Sequence, residues 1–263
     1  MTRQGILVIS HGSRDPAWVK LVDEAVSALA LPAQIPVESA FLELVEGRLI
    51  QDGIDRLEAS GVTEIAVIPL FISSGSTHVH EISWAFGVID EPAIETDLTP
   101  FRCQSRVLFG KPIDDDPLIA CILQEHAASL SRDPKREVLL LIGHGSDMDG
   151  FYERWQQGMT QLADRLKQAL GFAAAETAML LPDQIGSKLR LLDRQFPGYE
   201  VVVVPLFLSE GYFTRTVIPE RLRSHSSPRY RYDGKALLPH PLITEWMRRQ
   251  VGHILQKRSV FPS

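Results

Sequence analysis

Residues 5–13 read GILVISHGS, and residues 137–146 read EVLLLIGHGS. Each is a short apolar run that stops at His-Gly-Ser, with His11 and His144 at its end. Runs of this length, rich in branched aliphatic residues and bounded by glycine, predict buried strands. A second echo comes at similar spacing: VIPLFISSG at 67–75 returns as VVPLFLSEG at 203–211. Internal similarity of this kind predicts two similar domains.

Between the echoes, strand and helix patterns alternate. In the first half, strands are expected at 6–10, 36–44 and 64–71, with a weaker fourth at 95–103. Helices are expected over 15–30, 46–59, 77–88 and 115–130. The second half repeats the order: strands at 138–143, 174–181 and 200–208 and one within 229–238, with helices over 150–170, 183–196, 213–224 and 240–257. Asp116-Pro117-Leu118-Ile119 and His240-Pro241-Leu242-Ile243 start the two last helices alike. Alternation of β and α with near-continuous apolar strands predicts mainly parallel sheets flanked by helices, an α/β fold of two similar lobes. The polar, proline-bearing segment 130–136 (LSRDPKR) is the expected boundary, giving lobes of 1–130 and 137–263.

Composition narrows the function. The 263 residues are 44% apolar and 23% charged, which suits two soluble domains. A net charge of −6 argues against nucleic-acid or anionic-membrane partners. No apolar run is long enough to span a bilayer, and the N-terminus lacks a signal-peptide layout. Two cysteines, Cys103 and Cys121, make no disulfide framework, so a cytoplasmic setting is expected.

Ligands of open α/β sheets bind outside the carboxyl ends of the strands. His11, Glu43 and His78 all come just after expected strand ends of the first half. Two imidazoles and a carboxylate suit a borderline divalent metal and can accept protons near neutral pH. Each has a bland alternative: His11 as a turn residue before Gly12 and a capping Ser13, Glu43 as a solvated acid, His78 as a helix start. The comparison of copies favours function. Leu181 stands opposite Glu43, and Thr214, give or take one residue, opposite His78. The second copy thus keeps the scaffold without two of the three ionisable groups. His80 and Glu81 are further candidates; on a helix His80 points away from His78. Ser73, Ser74, Gly75 and Ser76 form a donor-rich loop that either binds anionic groups through backbone N–H or is an ordinary loop. Arg14, Arg215 and Arg221 lie near strand ends and are candidates for a basic patch.

HGSR (11–14), AFLEL (40–44) and PLFISSGSTHVHEI (69–82), in this order, resemble the sirohydrochlorin chelatases of the CbiX/SirB type. GHGS (143–146) and PLFLSEGYFTRTVIP (205–219) resemble the C-terminal half of the long members of that class II, ATP-independent family. The resemblance covers nearly the whole chain. It implies two lobes facing across a cleft and a lyase that inserts Co²⁺ or Fe²⁺ into sirohydrochlorin, for cobalamin or siroheme biosynthesis. The metal is then a substrate, and no organic cofactor is implied. Carried over by position, His11, Glu43 and His78 are the metal-binding and catalytic groups. Ser13, Arg14, Ser74, Gly75, Ser76 and His144 are the substrate-binding candidates. One departure stands out: many relatives carry Asp-Ile-Pro after the second histidine, where this chain has Glu81-Ile82-Ser83.

The alternative reading is a metal or tetrapyrrole carrier with the same site but no turnover. A phosphatase with His11 as nucleophile usually wants an adjacent arginine, where Ser10 stands. A structural protein with both sites decayed is disfavoured by the intact first triad. Two fused lobes suggest a monomer, with a dimer as the alternative.

Overall fold

The computed structural model describes residues 2–225 and 228–256. They divide into two compact units, Met1–Ile113 with His240–Ser263, and Asp114–Pro239.

The first unit is built on four parallel strands, β1 (Gln4–Ser10), β2 (Val37–Phe41), β3 (Glu64–Pro69) and β4 (Arg106–Phe109), in the order β2-β1-β3-β4. Between them run α1 (Pro16–Ser27), α2 (Ile50–Ala59) and α3 (Thr77–Ala85). Asp15 caps α1 by accepting a hydrogen bond from the Ala17 N–H at 2.9 Å, and Pro16 fills the first turn, where its missing donor costs nothing. Side chains alternate along each strand, so the sheet has two apolar faces. On one face Leu7, Ile9, Ala40, Ile65 and Val67 join Ile54 and Leu57 of α2 and Ile82 of α3 in a buried cluster. The alternate residues Ile6, Val8, Ala66 and Ile68 are equally buried. Their face is covered by α1 and by the last helix of the chain, α8 (Pro241–Gln256), which packs against β3 and α1. Lys257, expected to end that helix, lies outside the described residues.

The second unit repeats the plan. Strands β5 (Glu137–Gly145), β6 (Ala174–Leu181), β7 (Glu200–Leu206) and β8 (Tyr230–Arg231) form a parallel sheet in the order β6-β5-β7-β8. Helices α6 (Ile185–Gln195) and α7 (Ile218–Arg223) cover the face of Leu140, Ile142 and Val203. On the other side α5 (Phe151–Leu170) packs against β5 and β6, while α4 (Pro117–Leu130) packs against α5 and β7.

Each half of the sequence thus gives its last helix to the other unit. In the repeat α4 corresponds to α8, and β7 to β3. The expected division at 130–136 does not coincide with this one. That segment is polar and ends in a 3₁₀ turn, Pro134–Arg136, but it joins two elements of the same unit. Polarity reports a surface connection and not which sheet the preceding helix covers.

The expected strand at 95–103 is also displaced. Its backbone finds partners outside the sheet: Phe101 N–H donates to Ala85 O at 2.8 Å, and Arg102 exchanges two hydrogen bonds with the Gln51 side chain. Pro100 cannot donate to a ladder. Leu98, Phe101 and Cys103 pack as a flap on the cluster around α2 and α3. The fourth strand is instead Arg106–Phe109, in register Glu64↔Arg106 with β3. At β2 the ladder stops at Phe41, short of the expected 44, because the chain turns there: Leu44 has φ 67° and Gly47 φ 72°. The helix expected from 46 accordingly begins at Ile50.

Candidate metal site

In the first sheet, β2 lies on one side of β1 and β3 on the other, so the order reverses between β1 and β3. Such a switch point opens a crevice at the carboxyl ends of those strands. His11 is the residue after β1, and His78 is carried on the first turn of α3 beyond β3. Their rings meet edge to face with centroids 4.8 Å apart. Glu43 comes after β2, and its Oε1 lies 3.6 Å from His11 Nε2. The three groups singled out in the sequence therefore come together within the first unit.

The backbone fixes this convergence. Past the end of the ladder two further backbone hydrogen bonds tie the chains together, Leu42 N–H donating to Ser10 O at 2.9 Å and Glu43 N–H to His11 O at 3.1 Å. The strands approach so closely that a Cβ on Gly12 would lie 2.0 Å from Glu43 O, and Gly12 has φ +99°. Only glycine fits such a place without strain. Gly12→Ala is expected to cost about 1–3 kcal/mol and to displace His11 and Glu43 together. Chemical denaturation with a parallel turnover assay checks this; unchanged stability and rate would refute the account.

The loop bearing Glu43 is held from behind. Arg48 grips Asp23 through Nη1 at 2.8 Å and Nη2 at 2.6 Å, Ser39 donates to Asp23 Oδ1 at 2.7 Å, and the guanidinium lies 4.8 Å from the Phe41 ring centroid. The hydrogen bonds from Arg48, with those from Ser39, hold the Asp23 carboxyl below its ordinary value against the effect of burial.

Both imidazoles are oriented through Nδ1. His11 Nδ1 is 3.1 Å from Gly12 O. A carbonyl can only accept, so Nδ1 carries the hydrogen, which in the neutral ring leaves the lone pair on Nε2. His78 Nδ1 is 2.7 Å from Glu81 Oε1, and Glu81 Oε2 accepts from Thr96 Oγ1 at 2.7 Å. Metal-ligating histidines use such acceptors to fix tautomer and ring orientation. Among the described residues, no group of three or more His, Cys, Asp or Glu forms a ready-made cage for an ion. The three side chains meet pairwise through His11 and are not closed round a common ion position.

The other candidates fall in several places. Ser13 Oγ accepts from Asp15 N–H at 3.1 Å, a turn role. Arg14 is exposed and lines a cavity of about 390 Å³ with Ser13, Lys20 and Leu44, beside the loop of Glu43. The loop before α3 spends donors internally: Gly75 N–H donates to Ser73 Oγ and Ser76 N–H to Ser73 O, both at 3.0 Å. The expected anion cradle thus loses the N–H groups of Gly75 and Ser76. His80 Nε2 accepts from Ala93 N–H at 2.8 Å and fastens the segment leading to Thr96. Arg215 pairs with Glu210 at 3.1 Å. Arg221 donates to Leu180 O at 3.0 Å and pairs with Asp183 at 3.3 Å.

The second unit carries the same scaffold with other side chains. His144 Nδ1 is again 3.1 Å from the next carbonyl, Gly145 O, and a Cβ on Gly145 would lie 2.4 Å from Leu181 O. Leu181 therefore occupies the place of Glu43, as the sequence alignment has it. The ring facing His144 is Phe213, at 5.0 Å and nearly perpendicular. Thr214, aligned with His78 by sequence, is 1% exposed and turned inward to Gly211. The match is shifted by one residue, where Phe213–Val217 forms a π-helical turn. Sequence comparison had no means to place that extra turn residue, although Phe213 was within its margin. Thr96 was missed altogether, because its segment read as a strand.

Comparison with known proteins agrees with the repeat. The CbiX family model matches residues 5–130 and again 138–254. A sirohydrochlorin cobaltochelatase of Methanococcoides burtonii is 30% identical over 124 residues, 47% of this chain and 93% of that protein. A sirohydrochlorin ferrochelatase of Priestia megaterium is 26% identical over 224 residues, covering 82% of this chain and 77% of the relative. Among solved structures, SirB from Bacillus subtilis with Fe³⁺ superposes with a TM-score of 0.73 over 97% of this chain and 96% of that one, at 21% identity, and so shares the fold. The family match accounts for both copies along nearly the whole length, and the chain belongs to the CbiX family.

Proposed function

We propose that this protein inserts a divalent metal ion, Co²⁺ or Fe²⁺, into sirohydrochlorin without ATP. The observation that carries the reading is the pair of imidazoles at the switch point. Each is held through Nδ1, with Glu43 3.6 Å from His11 Nε2, and among the described residues only the first unit has this set. The relatives named as sirohydrochlorin cobaltochelatases and ferrochelatases support the same substrate.

The chemistry rests on the residue types. Insertion exchanges two pyrrole protons for one M²⁺, so the site must deliver a metal and take up two protons. Neutral imidazoles with free Nε2 lone pairs can do both in turn, first as ligands and then, once the ring nitrogens take the metal, as proton acceptors. Glu43 beside His11 is the third ligand and proton acceptor. A set not closed round one ion position lets macrocycle nitrogens replace protein ligands, which a closed tetrahedral site would resist. Arg14 and Lys20, at the cavity beside Glu43, supply cations for the substrate's peripheral carboxylates, offsetting the chain's net charge of −6. Ser13, Ser74, Gly75 and Ser76 of the first unit are proposed to line the substrate.

No described helix is long and apolar enough to cross a membrane. We place the enzyme in the cytoplasm as a monomer; the free thiols of Cys103 and Cys121 suit a reducing compartment. The test is an anaerobic assay of purified protein with sirohydrochlorin and Co²⁺, Fe²⁺ or Ni²⁺, followed by absorbance. Many equivalents of metallated product per protein are expected with cobalt or iron. Product limited to one equivalent, with every metal, would make the protein a carrier instead.

A further inference from the structure

Glu81 is a partly buried acid with both of its oxygens engaged. Its side chain is 14% exposed, against 40% for His78. Oε1 meets His78 Nδ1 at 2.7 Å and Oε2 accepts from Thr96 Oγ1 at 2.7 Å. Thr96 Oγ1 in turn accepts from Leu98 N–H at 3.1 Å, so the hydroxyl is itself anchored. With both oxygens engaged, the carboxylate faces away from the role of a metal ligand. It sits on the second turn of α3 and makes no cap to that helix.

The second copy supplies an internal control. There Phe213 takes the place of His78, and the residue three further on is Thr216. The partly buried carboxylate is present in the copy that has the second imidazole and absent at the matching place of the copy that lacks it. A residue kept only to fill space beneath α3 would be as useful in both. The partner of His11 sharpens the contrast: it is a neutral backbone carbonyl, which any residue could supply. His78 stands on a helix, where backbone carbonyls are committed to the helix, so its Nδ1–H needs a side chain.

We propose that Glu81, braced by Thr96, is the positioning residue of the metal site, holding His78 in the Nδ1–H tautomer and in the orientation that leaves Nε2 for the metal. This rests on the chelatase reading for its effect on rate but not for its effect on the imidazole. An ionised acceptor on the far nitrogen also strengthens the imidazole as a ligand.

The experiment compares Glu81→Ala, Glu81→Gln and Thr96→Val with the wild type in three ways. Nitrogen–proton NMR correlation on metal-free protein reads the His78 tautomer. Calorimetric titration with Co²⁺ reads metal affinity. Steady-state assay with sirohydrochlorin separates kcat from KM. For Glu81→Ala we expect partial loss of the Nδ1–H tautomer, a Co²⁺ affinity lower by about 10–100-fold, and a comparable fall in kcat with KM for sirohydrochlorin little changed. Glu81→Gln keeps an acceptor oxygen and should retain the tautomer with a smaller loss of affinity; it also serves if the alanine variant folds poorly. Thr96→Val should fall between wild type and Glu81→Ala. Wild-type tautomer and Co²⁺ affinity in both Glu81 variants would overturn the proposal, as would a loss of melting temperature with neither readout moved. The first two readouts need no sirohydrochlorin, so they judge Glu81 even if the wild type proved unable to chelate.

Discussion

His78→Phe is expected to lower chelation by on the order of 10²–10⁴-fold while leaving the melting temperature close to wild type. The second copy is the reason for choosing phenylalanine. Phe213 packs edge to face on His144 at 5.0 Å, nearly the arrangement of His78 on His11 at 4.8 Å. The fold has already accepted that ring in that place, and His78 is only half-buried, so the core has little to lose. The substitution removes Nε2, one of two imidazole nitrogens available to the metal and to the displaced protons. It also leaves the partly buried Glu81 carboxylate without its His78 partner, with Thr96 alone still bonded to it. Any loss of stability is therefore expected to be small enough to keep the melting temperature close to wild type, and Glu81→Gln in the same background should recover it. Anaerobic absorbance assays and thermal melts on the single and double variants make the check. Turnover near wild type in a folded His78→Phe protein would remove His78 from the site.

Much of this site was legible in the order of residues alone. Apolar runs end where strands end, and a doubly wound sheet gathers the residues just past those ends. Hence His11, Glu43 and His78 could be grouped from three separate stretches. Comparing the copies then singled out the one that carries all three ionisable groups. The hidden features depend on packing that sequence periodicity does not record. Thr96 braces Glu81 from a segment with no regular structure, and it reads there as one polar residue among several. Phe213, and not Thr214, is the partner of His144, a shift of one residue at the start of a π-helical turn that no periodicity marks. The donors of Gly75 and Ser76 are consumed by Ser73, although the loop reads as open and donor-rich. The exchange of last helices is invisible for a further reason. α4 and α8 start alike, each with an apolar face, and either sheet could bury either helix as far as pattern goes.

That exchange makes a second strong expectation, in which a residue near the C-terminus governs the N-terminal site. Trp246→Ala is expected to destabilise the first unit by about 3–5 kcal/mol, a loss large enough to abolish chelation at ordinary temperature. Trp246 lies on α8 and is fully buried, as are Ile243 and Met247 beside it. The helix packs on β3, the strand that leads to the loop and helix carrying His78, and on α1, which begins just after His11. Truncating the indole leaves a large cavity against the strand on which the site depends, and a well-packed sheet face closes such a cavity poorly. The matched control is Ile122→Ala on α4, a fully buried residue of the helix that covers the second sheet. Leu or Ile to Ala typically costs about 2–5 kcal/mol, so this loss should appear in the other unit. Urea denaturation followed by amide hydrogen exchange resolved by peptide distinguishes the two. Trp246→Ala should lose protection first in β1 and β3, and Ile122→Ala first in β5 and β7. If Trp246→Ala loosened β5 and β7 instead, α8 would belong with its own half of the sequence, and the exchange of helices would be wrong.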